Sequence, residues 1–156
     1  MNPMYAVKTK KRNQKNYKLL NLPNGLQRNY LEAKQCYESD LYYSCCLMCR
    51  VVLEQVLKKT EKKIVAKNLS FYDRSLMELI NGYGRIFNQE VRDAMFTIYW
   101  NGNQSAHSDT ITGKKEANDS FRSLQIFLTG IFSSESYKNI WYGLDDFLSN
   151  DYATQL

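Results

Sequence analysis

The chain has only two prolines in 156 residues, Pro3 and Pro23. From there to the end nothing forbids helix through proline. It has one histidine, His107, so no His–His metal pair can form. Alternating apolar and polar runs are missing, which argues against half-buried strands. No apolar run nears the roughly 20 residues that a membrane helix needs. There is no Walker A loop, no G-x-S-x-G elbow, no H-E-x-x-H and no Rossmann glycine fingerprint. No metal and no organic cofactor are expected from such a sequence. The opening MNPMYAVKTKKRNQKNYK is charged and has no apolar h-region, so it does not read as a secretory leader. A cytoplasmic protein is the expectation.

Acid is missing from the first eighteen residues, which hold Lys8, Lys10, Lys11, Arg12, Lys15 and Lys18. The whole chain carries +5, so this basic arm outweighs a nearly neutral remainder. A basic arm can hold phosphate backbones electrostatically, or serve only as a solvated tail. Lys8, Lys10, Lys11 and Arg12 are the candidates for nucleic-acid contact. The boundary suggested is a flexible arm over 1–25 and one helical domain over 26–156.

Hydrophobic residues make up 44% of the chain, enough for a core without disulfide or metal staples. The four cysteines are Cys36, Cys45, Cys46 and Cys49. The last three crowd one helical segment, where they cannot pair into a framework, and reduced thiols are the simpler reading. Cys45 and Cys49 are four apart and could chelate a metal, but no second pair exists. Buried cysteines acting as small apolar residues account for them better.

Helical periodicity runs through the rest. A first helix over 26–38 carries Leu26, Tyr30, Ala33 and Tyr37 on one stripe. A second spans 40–62, with Ser39 or Asp40 as N-cap. Its broad apolar face of Leu41, Cys45, Met48, Val52 and Val56, flanked by Tyr42, Cys46, Cys49, Leu53 and Leu57, marks a central bundle helix. Lys58, Lys59, Lys62 and Lys63 complement its dipole. A short third helix spans 73–81, capped by Asp73 and closed by Asn81-Gly82-Tyr83-Gly84. A fourth starts near Asn88 and reaches at least Trp100. A fifth covers 114–132, and a sixth covers 136–149 with Ile140, Trp141, Leu144, Phe147 and Leu148. The fold class expected is all-α, a helical bundle of five to six helices.

Four features could carry function. Asn101-Gly102-Asn103-Gln104-Ser105-Ala106-His107 offers an amide, a hydroxyl and an imidazole able to act as acid or base, although Asn-Gly is also a turn signal. Arg50 and Glu54 are spaced to pair along the second helix, unless Arg50 instead faces His107 and binds phosphate. The cysteine cluster is the third. Tyr42, Tyr43, Tyr99 and Trp100 could stack bases, or serve as core or dimer interface.

The segment Tyr42–Glu54 resembles the small-residue, Arg, small or apolar, Glu helix of a bacterial family, domain of unknown function 4145. Leu76–Ile80 with Gly84-Arg85-Ile86 looks like its middle segment. Gly102-Asn103-Gln104-Ser105-Ala106-His107 is similar to its Gly-Asn-x-x-Ala-His signature. The resemblance covers roughly residues 27–132. It implies a HEPN-like bundle of the kind found alone or with type I restriction subunits and other bacterial defence proteins. Many such domains dimerise and cut RNA through an Arg-x₄₋₆-His motif. In this family an Arg commonly precedes the Gly-Asn by three positions, and here that position is Tyr99. The window before His107 has no basic residue, and Arg92 lies fifteen residues upstream.

The first reading is therefore a non-catalytic HEPN-like module, a homodimer that binds RNA, DNA or a protein partner. Its binding residues are Arg50, Glu54, Tyr99, Gly102, Asn103 and His107. The alternative is a metal-independent HEPN-type ribonuclease using His107 and Asn103, with a basic residue such as Arg50 or Arg92 from a partner subunit in place of the absent Arg.

Overall fold

The structure, a computed structural model, describes residues 22, 24–65, 74–107 and 111–133. Five helices occur in the order α1 (Asn24–Glu38), α2 (Tyr42–Val65), α3 (Leu76–Tyr83), α4 (Gln89–His107) and α5 (Lys114–Ser133). No strand occurs among the described residues. The expected all-α bundle is what forms. The expected sixth helix over 136–149 and the basic arm of Lys8, Lys10, Lys11 and Arg12 lie outside the described residues.

α2 is the hub, because its apolar stripe is wide enough to meet every other helix. Cys45, Cys46, Cys49, Val52, Leu53, Val56 and Leu57 are all buried along it. Opposite them lie Leu79 and Ile80 of α3, Met95 and Ile98 of α4, and Leu124, Phe127, Leu128 and Ile131 of α5. Each fully buried side chain of this size stabilises the fold by about 1.5–3 kcal/mol. α1 closes one flank through polar and aromatic contacts. Asn29 donates to Gln55 at 2.8 Å and the Tyr37 hydroxyl to Asn118 at 2.9 Å, while the Tyr37 and Phe121 rings stack at 5.2 Å.

The turn between α1 and α2 departs from the sequence expectation. Asp40 does not cap α2. It has φ 57° and ends α1 in the left-handed conformation, with Leu41 N–H donating to Cys36 O at 2.9 Å and Asp40 N–H to Tyr37 O at 3.3 Å. This is the Schellman closure that usually takes glycine; Asp tolerates it because its short polar side chain is at home there. α2 therefore begins two residues later than its pattern suggests, and Leu41, expected on the buried stripe, is 54% exposed.

α3 is also capped differently. Ser75 accepts from Glu78 N–H at 3.3 Å, and Glu78 accepts from Ser75 N–H at 2.7 Å. This reciprocal box replaces the expected Asp73 cap. Asn88 caps α4 by accepting from Val91 N–H at 3.0 Å. α4 and α5 approach closely enough that a Cβ on Gly130 would sit 2.5 Å from Val91 Cγ2.

Candidate functional site

The polar stretch 101–107 is not a turn: it is the last two turns of α4. Asn-Gly signals a turn locally, but here tertiary packing overrides it, because Gly102 sits where Arg50 of α2 crosses α4. A Cβ at Gly102 would lie 2.7 Å from Arg50 Cβ and 2.8 Å from its Cδ. No side chain fits there without moving one helix, so glycine is kept in a helix interior despite its propensity deficit of about 1 kcal/mol.

Helical spacing divides the stretch into two faces. Asn101 and Ser105 point toward α5. Asn101 Nδ2 donates to Glu116 O at 3.2 Å and to Ser120 Oγ at 3.1 Å, and Ser105 Oγ lies 2.7 Å from Thr112 Oγ1. These two polar residues are structural ties, not a reactive group. Ser120 passes the network on, donating to Cys46 Sγ at 3.5 Å.

The other face belongs to Trp100, Asn103 and His107, which share one side of α4 at spacings of three and four. Trp100 is 55% exposed, Asn103 is half-buried and His107 is exposed. Asn103 and His107 make no hydrogen bond among the described residues. Tyr99 lies partly buried against the core and meets Trp100 edge-on, with centroids 5.2 Å apart. Arg50 of α2 meets α4 at Gly102. Its Nε is buried and has no hydrogen-bond partner. A buried donor left unmatched costs about 1–3 kcal/mol.

The spacing of Arg50 and Glu54 suggests a pair, which does not form. Glu54 bonds Lys58 instead, at 2.9 Å along the same helix. The Arg50 stem packs into the seam with α4 at Gly102. Arg92 is not near His107 either. Its guanidinium lies 5.9 Å from the Phe96 ring centroid, and fifteen residues of α4 separate it from His107, about 22 Å of helix.

The cysteines are reduced and buried. Its hydrogen bond with Cys45, followed by burial, pushes the Cys49 thiol well above its ordinary value. Burial likewise raises Cys46. Such thiols stay protonated and unreactive near neutral pH. Among the described residues no three His, Cys, Asp or Glu side chains are placed to hold a metal ion. Of the four aromatics singled out for stacking, Tyr43 and Trp100 are exposed, whereas Tyr42 and Tyr99 pack partly against the core.

A second charged cluster has no counterpart in the sequence reading. At the end of α2 the Glu61 carboxylate receives Arg74 Nε at 2.8 Å, Arg74 Nη2 at 2.5 Å and the Tyr83 hydroxyl. Arg74 also lies over the Tyr83 ring, 5.7 Å from its centroid. Burial pushes the Glu61 pKa up, but the hydrogen bonds from Arg74 and Tyr83 and the charge of Arg74 outweigh it, and the carboxyl stays below its ordinary value. This clamp ties α3 to α2.

No helix among the described residues is long and apolar enough to cross a membrane. No curated protein and no solved structure matches the chain. The family model described as "Domain of unknown function (DUF4145)" matches residues 31–140. That span holds α2, α3, α4 and α5 entire, with both the Arg50 helix and the Gly102–His107 segment, and the chain belongs to this family.

Proposed function

We propose that the chain is a non-catalytic HEPN-like module that binds nucleic acid on the face shared by α2 and α4, acting as a homodimer in a bacterial defence or restriction context. One observation carries the binding assignment. Trp100, Asn103 and His107 share one side of α4, Arg50 packs its stem on the same helix at Gly102, and the polar groups of Asn103, His107 and Arg50 take no hydrogen-bond partner among the described residues. An exposed indole, an amide and a guanidinium are the groups that stack bases and hold phosphates. The basic arm of Lys8, Lys10, Lys11 and Arg12 would add to the same electrostatic attraction. The homodimer draws support from apolar groups on the outer side of α2, where Tyr43 and Val51 are exposed. The defence context rests on the family resemblance alone.

The catalytic reading is weaker. Asn103 and His107 share a helix face, as a ribonuclease of this type would need. Tyr99, however, fills the position of the motif arginine, and Arg92 is too distant to replace it within one subunit. The test incubates wild type and His107→Ala with labelled RNA and single-stranded DNA at two salt concentrations, reading cleavage and binding together. Intact nucleic acid, bound at low salt and released at high salt, is the expected result. Cleavage that disappears in His107→Ala would establish a ribonuclease and overturn the non-catalytic reading. Intact nucleic acid that is never bound would redirect the face to a protein partner.

A further inference from the structure

An arginine side chain carries five N–H donors, no acceptor and a permanent charge. Arg74 shows how this fold satisfies one that it uses for stability, with a carboxylate fork from Glu61 and the Tyr83 ring beside it. Arg50 is treated in the opposite way. Its aliphatic stem is pressed against the α4 backbone at Gly102, and its Nε is buried without a partner. The acid one turn along its own helix, Glu54, is engaged by Lys58. Nε is the only guanidinium nitrogen shielded without a partner, so the two Nη groups are the open end.

A guanidinium fixed at its stem and walled on one side differs from an arginine waving in solvent. Less rotamer freedom remains to be lost on binding. Its charge is screened on one side only, and two parallel N–H groups match two oxygens of one anion. Asn103 follows Gly102 directly in sequence, and His107 lies one turn further along α4.

We propose that Arg50 is an oxyanion seat: its two Nη groups, carried on a stem held by the close crossing at Gly102, take one phosphate group end-on. This rests on the reading of the α2–α4 face as a nucleic-acid surface, which makes the ligand a phosphodiester; free phosphate has the same chemistry and is the other source.

The test uses full-length protein labelled with ¹⁵N at arginine. The Arg50 Nε–Hε signal, identified by its loss in Arg50→Lys, is followed during two titrations at fixed ionic strength, one with inorganic phosphate and one with a short oligouridylate. Both are expected to move it saturably. Arg50→Met, which keeps the bulk of the stem at Gly102, should weaken oligouridylate binding about tenfold or more with little change in the unfolding midpoint, and Arg50→Lys should restore only part of the loss. An Arg50 signal that ignores tightly bound oligouridylate overturns the seat and leaves the nucleic-acid reading standing. A signal moved by phosphate while the protein binds no oligouridylate keeps the seat and removes the nucleic-acid reading. Wild-type affinity in Arg50→Lys overturns the end-on fork, since a point charge would then suffice. A signal that moves with protein concentration alone would make the occupant a carboxylate of a second copy and overturn the proposal.

Discussion

Arg74, which is clamped to α2, and Arg50, which α2 carries, are both half-buried arginines, and they are treated in contrary ways. Arg74 has its charge met by Glu61, with Tyr83 completing the carboxylate's shell. Arg50 has its stem held and its charge unmet by any described residue. A guanidinium needed for the fold is neutralised within it. One left without a partner at a surface is available to something else. The difference separates the scaffold end of α2 from the edge proposed to bind.

The contrast can be sharpened by mutation. Glu61→Ala should have the largest effect, because it leaves Arg74 and the Tyr83 hydroxyl without their shared acceptor. A loss of about 2–3 kcal/mol is expected, read as a fall of roughly 5–10 °C in the melting midpoint. A midpoint within a degree of wild type would show that the clamp is ornamental. Gly102→Ala comes next. Alanine gains nearly 1 kcal/mol of helix propensity, but overpacking against Arg50 Cβ costs about 1–3 kcal/mol. A net loss in urea unfolding is expected, and a gain would mean that α2 and α4 part freely.

Acid should act on the Arg74 end alone. The Glu61 carboxyl has a lower pKa folded than unfolded. Its contribution is therefore complete above the ordinary carboxylate value, about 4.3, and is lost as pH falls through the lower folded value. Wild type should lose stability over that acid window more than Glu61→Ala does. Parallel pH profiles for the two proteins would contradict the assignment.

Much of this fold was legible in the sequence, for a physical reason. Helices depend on neighbours three and four residues apart, and the apolar stripes of α2 and α5 state that spacing openly. The Ser75–Glu78 box was legible too, since Ser-x-x-Glu before an apolar run is the capping signature; Asp73 is the more conspicuous but wrong choice. The turn at Asp40 was not, because a positive φ at a non-glycine residue leaves no compositional mark. Gly102 misleads for a related reason. Its glycine answers a helix crossing with Arg50, fifty-two residues earlier, and not a local bend. Glu61 hides among the lysines that end α2, and its partners are thirteen and twenty-two residues further on. Arg50, Gly102, Asn103 and His107 were each visible as residues of interest. Their division into a structural face with Asn101 and Ser105, and an open face with Trp100, needed three dimensions.

Arg50→Met tests the central claim most directly, because methionine keeps the stem's bulk over Gly102 and removes only the charge and its donors. Unfolding midpoint and affinity for a short RNA are measured on the same preparation. A midpoint within about 0.5–1 kcal/mol of wild type is expected, since an unmatched buried donor is removed and no pair is broken, together with RNA binding weakened about tenfold or more. A lowered midpoint with unchanged RNA affinity would place Arg50 in the scaffold beside Arg74 and contradict the account.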